Sequence, residues 1–189
     1  MIDAAKGTVV TVGISGTCPY GLGACWGGAH EALRRLEGVN AVDPLPDVAS
    51  ATATVFLEDG RLPAVDRWDE QFAQMAHGSY QLRGVEVSLK GTVEARDGEH
   101  FLRASGERPS VVLAALGPLD KIQWQRQAGA PAVSAPDEAA AYHRLAAESA
   151  HAGEPIIVTG PLTWSGGGYR MLVRSFEVGG RRPGRPACI

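Results

Sequence analysis

Cys18 and Cys25 are the residues of this chain whose type and spacing could do chemistry, standing as Cys-x6-Cys in a glycine-broken stretch from Ser15 to Gly23. From Ala24 that stretch runs into a segment of helical period, which places Cys25 at a helix N-terminus. Soft thiolate ligands select Cu(I), Zn(II) or Hg(II), and the positive end of a helix dipole favours a thiolate there. A two-thiolate site in such a loop is shallow and exchangeable. Other readings of the same residues stay open. Cys25 shares an apolar stripe with Ala29 and Leu33 and reads equally as a small buried hydrophobe. A Cys18–Cys25 disulfide can close geometrically and would persist in an oxidising compartment. Cys188, near the C-terminus, is a candidate third thiolate.

The rest of the chemistry-bearing residues are scattered. His30, His77, His100, His143 and His151 form no His-x-His or His-x3-His pair, so a dedicated zinc site has no support. Asp66, Asp69 and Glu70 open a helical segment, where negative charge complements the dipole. Gly21-Leu22-Gly23 lacks the third glycine of a dinucleotide fingerprint, and no residue set argues for an enzyme. Tyr20 and Trp26 flank the cysteine loop and read as partner-docking aromatics or as core. Phe101, Arg103, Trp124 and Tyr169 would give a stacking surface for nucleic acid or glycan. The competing reading has Phe101 and Trp124 filling the fold, with Glu94, Asp97, Glu99 and Glu107 crowding the same loops.

Several elements must position these residues. Val10, Val12 and Ile14 alternate with polar or small neighbours as a strand. Cys25, Ala29, Ala32, Leu33 and Leu36 make a helix stopped by Gly38, Val39 to Val42 a short strand, and Ala51 to Leu57 another. Pro63 opens a second helix through Val65, Trp68, Phe72 and Met75, and Val85, Val87 and Leu89 form a fourth strand. The order is βαββαβ, a split unit in which two helices cover one face of a four-stranded antiparallel sheet. The alternation continues through Gly91 to Val93 and Ala95, so that one long strand can serve both halves. Phe101 to Ala104 and Val111 to Leu113 pair next, and Gly117 to Val133 is irregular around Trp124. Ser134-Ala135-Pro136-Asp137 caps a helix reaching Gly153, and Ile156 to Thr159 and Leu172 to Phe176 complete five strands. A five-stranded Greek-key barrel is the simplest way to close them.

The stretch from Val10 to about Leu89 resembles the heavy-metal-associated domain of copper chaperones and metal-transporting ATPases. The resemblance rests on Cys25, Ala29, Ala32, Leu33, Leu36 and the Gly38-Val39 entry to the next strand, with Gly16-Thr17-Cys18 matching the start of the family's metal loop after an insertion. Leu22 stands where the family's first cysteine would be, and the family methionine is missing. The resemblance implies a ferredoxin-like fold and a soft metal held by two thiolates. The second half resembles an oligonucleotide/oligosaccharide-binding (OB) barrel by pattern alone.

The expectation is an α+β protein with a ferredoxin-like βαββαβ domain over 1–84, a five-stranded OB-like β-barrel over 85–180 and a mobile tail at 181–189. Its expected role is non-enzymatic binding or transfer of a soft metal ion, Cu(I) ahead of Zn or Hg, through Cys18 and Cys25. The alternative is a metal-free protein–protein adaptor on the same scaffold. Over 189 residues the formal net charge is −3, and Lys6, Lys90 and Lys121 are the only lysines among 18 Lys+Arg, which argues against nucleic acid as partner. A protein partner is expected. No stretch nears the roughly 18–20 apolar residues of a membrane span, and no signal-peptide pattern opens the chain. Its default compartment is therefore the cytoplasm, or the periplasm or exterior if a leader has been removed.

Overall fold

The computed structural model of the protein describes residues 8–16, 22–58, 61–105, 108–125, 128–148 and 153–179. It is a mixed α/β molecule with a large sheet of 9 strands and few helices. The first half runs β1 (Val9–Gly16), α1 (Trp26–Arg34), β2 (Val39–Val42), β3 (Thr52–Leu57), α2 (Val65–Met75) and β4 (Tyr80–Arg96). All pairings here are antiparallel, in the order β4-β1-β3-β2. Alternation fixes which face is apolar: Val10 pairs with Val55 and Val87, and Val12 with Ala53 and Val85, all buried. Helices α1 and α2 lie on that face. Helix α1 buries Ala29, Ala32 and Leu33, and α2 buries Trp68 and Phe72. Trp68 satisfies its indole N–H on the Glu37 carbonyl at 3.0 Å, so the largest core side chain leaves no polar atom stranded.

The second half adds β5 (Glu99–Ala104), β6 (Val111–Ala115), β7 (Trp124–Gln125), β8 (Ala130–Pro131), α3 (Pro136–Ala139), α4 (Ala141–Glu148), β9 (Ile156–Ser165), β10 (Gly168–Val173) and β11 (Ser175–Val178). Strand pairings close on themselves as β4-β5-β6-β10-β9 and back to β4, with β6 and β10 parallel and the other pairs antiparallel. Closure leaves these strands without a bare edge. Val85, Glu86 and Val87 carry a partner on both sides, β1 on one and β9 on the other. The long strand expected from the sequence is thus continuous, and the expected junction at 84/85 falls inside it. Buried residues of both halves form one cluster, from Val10 to Val173.

Local departures from the expected elements have physical reasons. Leu172 to Phe176 is not one strand, because Arg174 breaks the pairing: its backbone N–H turns to the Thr159 carbonyl at 2.9 Å, and β11 starts after it on β9. Helix α1 begins at Trp26 rather than Ala24, which leaves Cys25 at the cap position. The helix expected to run to Gly153 is two pieces meeting at Ala140, and the Ser134 hydroxyl serves the Gly117 carbonyl rather than the helix cap. Glu138 takes the capping role instead, accepting the Ala135 N–H at 2.8 Å. The connection from Leu116 to Ser134 is irregular apart from the β7–β8 ladder, as expected, yet it is not peripheral. Ile122 is buried against Gly13 and Gly84, on the face of the first sheet opposite α1 and α2, and a Cβ at Gly13 would overlap the Ile122 carbonyl. Among the described residues no helix is long and apolar enough to cross a membrane.

Candidate functional site

The expected metal loop is represented by one end. Cys18, Tyr20 and Cys188 lie outside the described residues, as does the tail. Cys25 is half-buried, packs against the core at the start of α1, and its carbonyl accepts the Tyr80 hydroxyl from β4. Gly28 faces the Tyr80 ring, and a Cβ there would meet it at 3.5 Å, in ordinary contact. Among the described residues no group of three or more His, Cys, Asp or Glu side chains could hold a metal ion. His30 turns to Trp26 instead, ring edge to ring face with centroids 5.5 Å apart.

Beside Cys25 the connection between β2 and β3 forms an apolar shoulder. Two aspartates shape it by bonding backbone N–H groups ahead of them: Asp43 accepts Leu45 N–H at 3.0 Å, and Asp47 accepts Ala49 N–H at 2.9 Å. The Ser50 hydroxyl donates to Asp47 at 2.6 Å, and these hydrogen bonds, the Ser50 side chain's first, hold the Asp47 carboxyl below its ordinary range. The turns leave Leu45 and Val48 with 75% and 61% of their surface exposed. The Trp26 indole N–H donates to the Pro44 carbonyl at 2.8 Å, tying the shoulder to the first residue of α1. Val48 flanks Gly23 on the approach to Cys25.

A second constellation was invisible in the sequence. On the face opposite α1 and α2, Arg174 donates to Glu86 at 2.6 Å and approaches Glu138 at 3.4 Å, while Lys121 bonds both oxygens of Glu138 at 3.0 and 2.9 Å. Glu86 is only 5% exposed, and among the described residues Glu86 Oε2, Arg174 Nε and Gln123 Oε1 have no hydrogen-bond partner. Burial raises the Glu86 carboxyl, and the Arg174 charge opposes that rise. Glu138 is held below its ordinary value: burial works against it, but the Ala135 N–H and Lys121 outweigh burial. Two carboxylates and two cations balance, which is what a buried charge set needs to survive. The network clamps the irregular connection onto the sheet.

The aromatic set proposed for stacking is dispersed. Trp124 lies under the Arg83 guanidinium, 4.2 Å from its ring centre, and its backbone bonds Ser50. Tyr169 donates to the Pro63 carbonyl before α2 and meets Trp164 edge-on at 4.8 Å. Arg103 is paired with Glu94, and Phe101 has Arg96 near its ring. Compared with known proteins, the chain matches no protein-family model, no curated protein and no solved structure.

Proposed function

We propose that the chain is a non-enzymatic docking module that recognises a partner protein through the shoulder formed by Trp26, Leu45 and Val48. The observation that carries this reading is that two large aliphatic side chains are held outward by aspartate-anchored turns rather than left on a slack loop. Rigid, exposed apolar groups beside an anchored tryptophan suit a protein surface, where little ordering entropy remains to be lost on binding. We read the scaffold as a ferredoxin-like unit fused to an OB-like barrel. The antiparallel order β4-β1-β3-β2 supports the first part. The ring β4-β5-β6-β10-β9, with a helical connection between β6 and β9, supports the second.

A photo-crosslinking side chain at Val48 is expected to capture one discrete partner protein in extracts of the native host, and Leu45→Asp is expected to abolish capture. Capture that survives Leu45→Asp overturns the docking reading.

Soft-metal binding is the second reading, and the position of Cys25 at the α1 cap favours it. It requires Cys18 to bring the other thiolate. Reduced protein titrated with Cu(I) would then show thiolate-to-metal charge-transfer absorption that Cys25→Ser removes, and an unchanged spectrum excludes this role.

A further inference from the structure

Where α4 ends, the side chains of Val93, Leu145, Ile156, Phe176 and Val178 line a cavity of about 340 Å³ with Glu148 and Glu154 at its rim. Its volume falls in the range of small-molecule sites, and its make-up of an apolar floor with few charged groups is theirs too. Leu145 and Ile156 are buried, whereas Val93, Phe176 and Val178 are half-buried and offer their remaining surface to the cavity. The charged groups among the described lining residues are both carboxylates. Glu148 is the last described residue of α4, and no basic residue stands in the last turn of that described helix. Among the described residues neither Glu148 nor Glu154 takes part in an ion pair. Arg144, which borders an adjoining cleft of about 700 Å³, spends a guanidinium N–H on the Asp137 carbonyl at 3.2 Å, toward α3. Glu177 borders the same cleft and adds a further negative charge.

We infer that this cavity binds a small hydrophobic amine. Its apolar body lies among Val93, Ile156, Phe176 and Val178, and its ammonium faces Glu148 and Glu154. Like charges gathered around a hydrophobic recess are unfavourable when empty, and an ammonium relieves them while its body displaces water from the floor. A carboxylate of the same shape meets repulsion at the rim, and a neutral alcohol gains the floor alone.

The test uses the full chain with phenethylamine, 2-phenylethanol and 3-phenylpropionate as probes, followed by calorimetry and by methyl NMR of the Val, Leu and Ile side chains. Phenethylamine is expected to shift the Val93, Ile156 and Val178 methyls saturably, with the alcohol at least about tenfold weaker and the acid weaker still. The Glu148→Gln, Glu154→Gln double variant changes only exposed groups and is expected to weaken the amine about tenfold while leaving the alcohol unchanged. Equal affinity for amine and acid, an unaltered double variant, shifts mapping elsewhere, or no shifts up to about 10 mM amine each overturn the assignment.

Discussion

The Arg174 guanidinium sits 2.6 Å from a Glu86 carboxylate oxygen across 88 positions of chain, at the point where β10 gives way to β11. The side chain reaches this contact from the residue whose backbone N–H leaves the β10–β6 ladder for Thr159, and it serves Glu138 as well. Removing the cation leaves two carboxylates poorly compensated, one of them almost fully buried. Arg174→Met should therefore cost about 3 kcal/mol or more at neutral pH, read from urea unfolding. Glu86→Gln keeps an acceptor for Arg174 and should change stability by about 1 kcal/mol or less. A loss of about 1 kcal/mol or less for Arg174→Met as well would show that the network does not bear on folding.

The two carboxylates of this network respond to pH in opposite directions. The folded-state pKa of Glu86 is raised above its ordinary value of 4.5, so its contribution is fully present below that value and is lost as pH rises through the folded pKa. The pKa of Glu138 is lowered from 4.5, so its contribution is present above that value and is lost as pH falls through the folded pKa. Urea midpoints across this range should show wild type losing ground to Glu86→Gln as pH rises from 4.5, and losing ground to Glu138→Gln as pH falls below it. Parallel curves for both variants would contradict the assigned shifts.

Two glycines should answer alanine with opposite signs. A Cβ at Gly160 would overlap the Leu172 carbonyl where β9 crosses β10, and backbone cannot step aside cheaply, so Gly160→Ala should cost several kcal/mol or prevent folding. Gly27, inside α1, has nothing within 4 Å of its would-be Cβ. Gly27→Ala should stabilise by about 0.5–1 kcal/mol through reduced unfolded-state freedom, measured by thermal unfolding.

The Tyr80 hydroxyl holds the start of α1 through the Cys25 carbonyl. Tyr80→Phe should cost about 1 kcal/mol and, with Cys18 and Cys188 replaced by serine, should speed alkylation of Cys25 by iodoacetamide. An unchanged alkylation rate would show that the hydrogen bond does not fix the loop.

The first half was legible because its periods are local. Val39 to Val42 is the second strand with the bounds expected, and Val85 through Ala95 continues past Gly91 as the alternation required. The charge network was not legible, because Glu86 shares its face with the exposed Ser88 and Lys90, and alternation alone assigns all three to solvent. Glu86 is covered by residues remote in sequence, Arg174 after β10 and the Leu116 to Ser134 connection, whose Ile122 packs on Gly13 and Gly84. Arg174 reads as one more strand residue for the same reason: its partner is remote. The shoulder at Leu45 and Val48 was missed because its sequence, Asp43 to Ser50, signals turns, and turns do not announce which apolar side chains they leave outside. The sequence offers Trp26 as a docking aromatic but not its neighbours.

The doubly paired residues Val85, Glu86 and Val87 bear on how such a protein can be inherited. A gene fusion that borrowed either half alone would have to copy this stretch rather than divide it, since cutting it strips hydrogen-bonding partners from β1 on one side or β9 on the other. The two halves are therefore a single unit of exchange, and a working transplant of either one carries a second copy of β4.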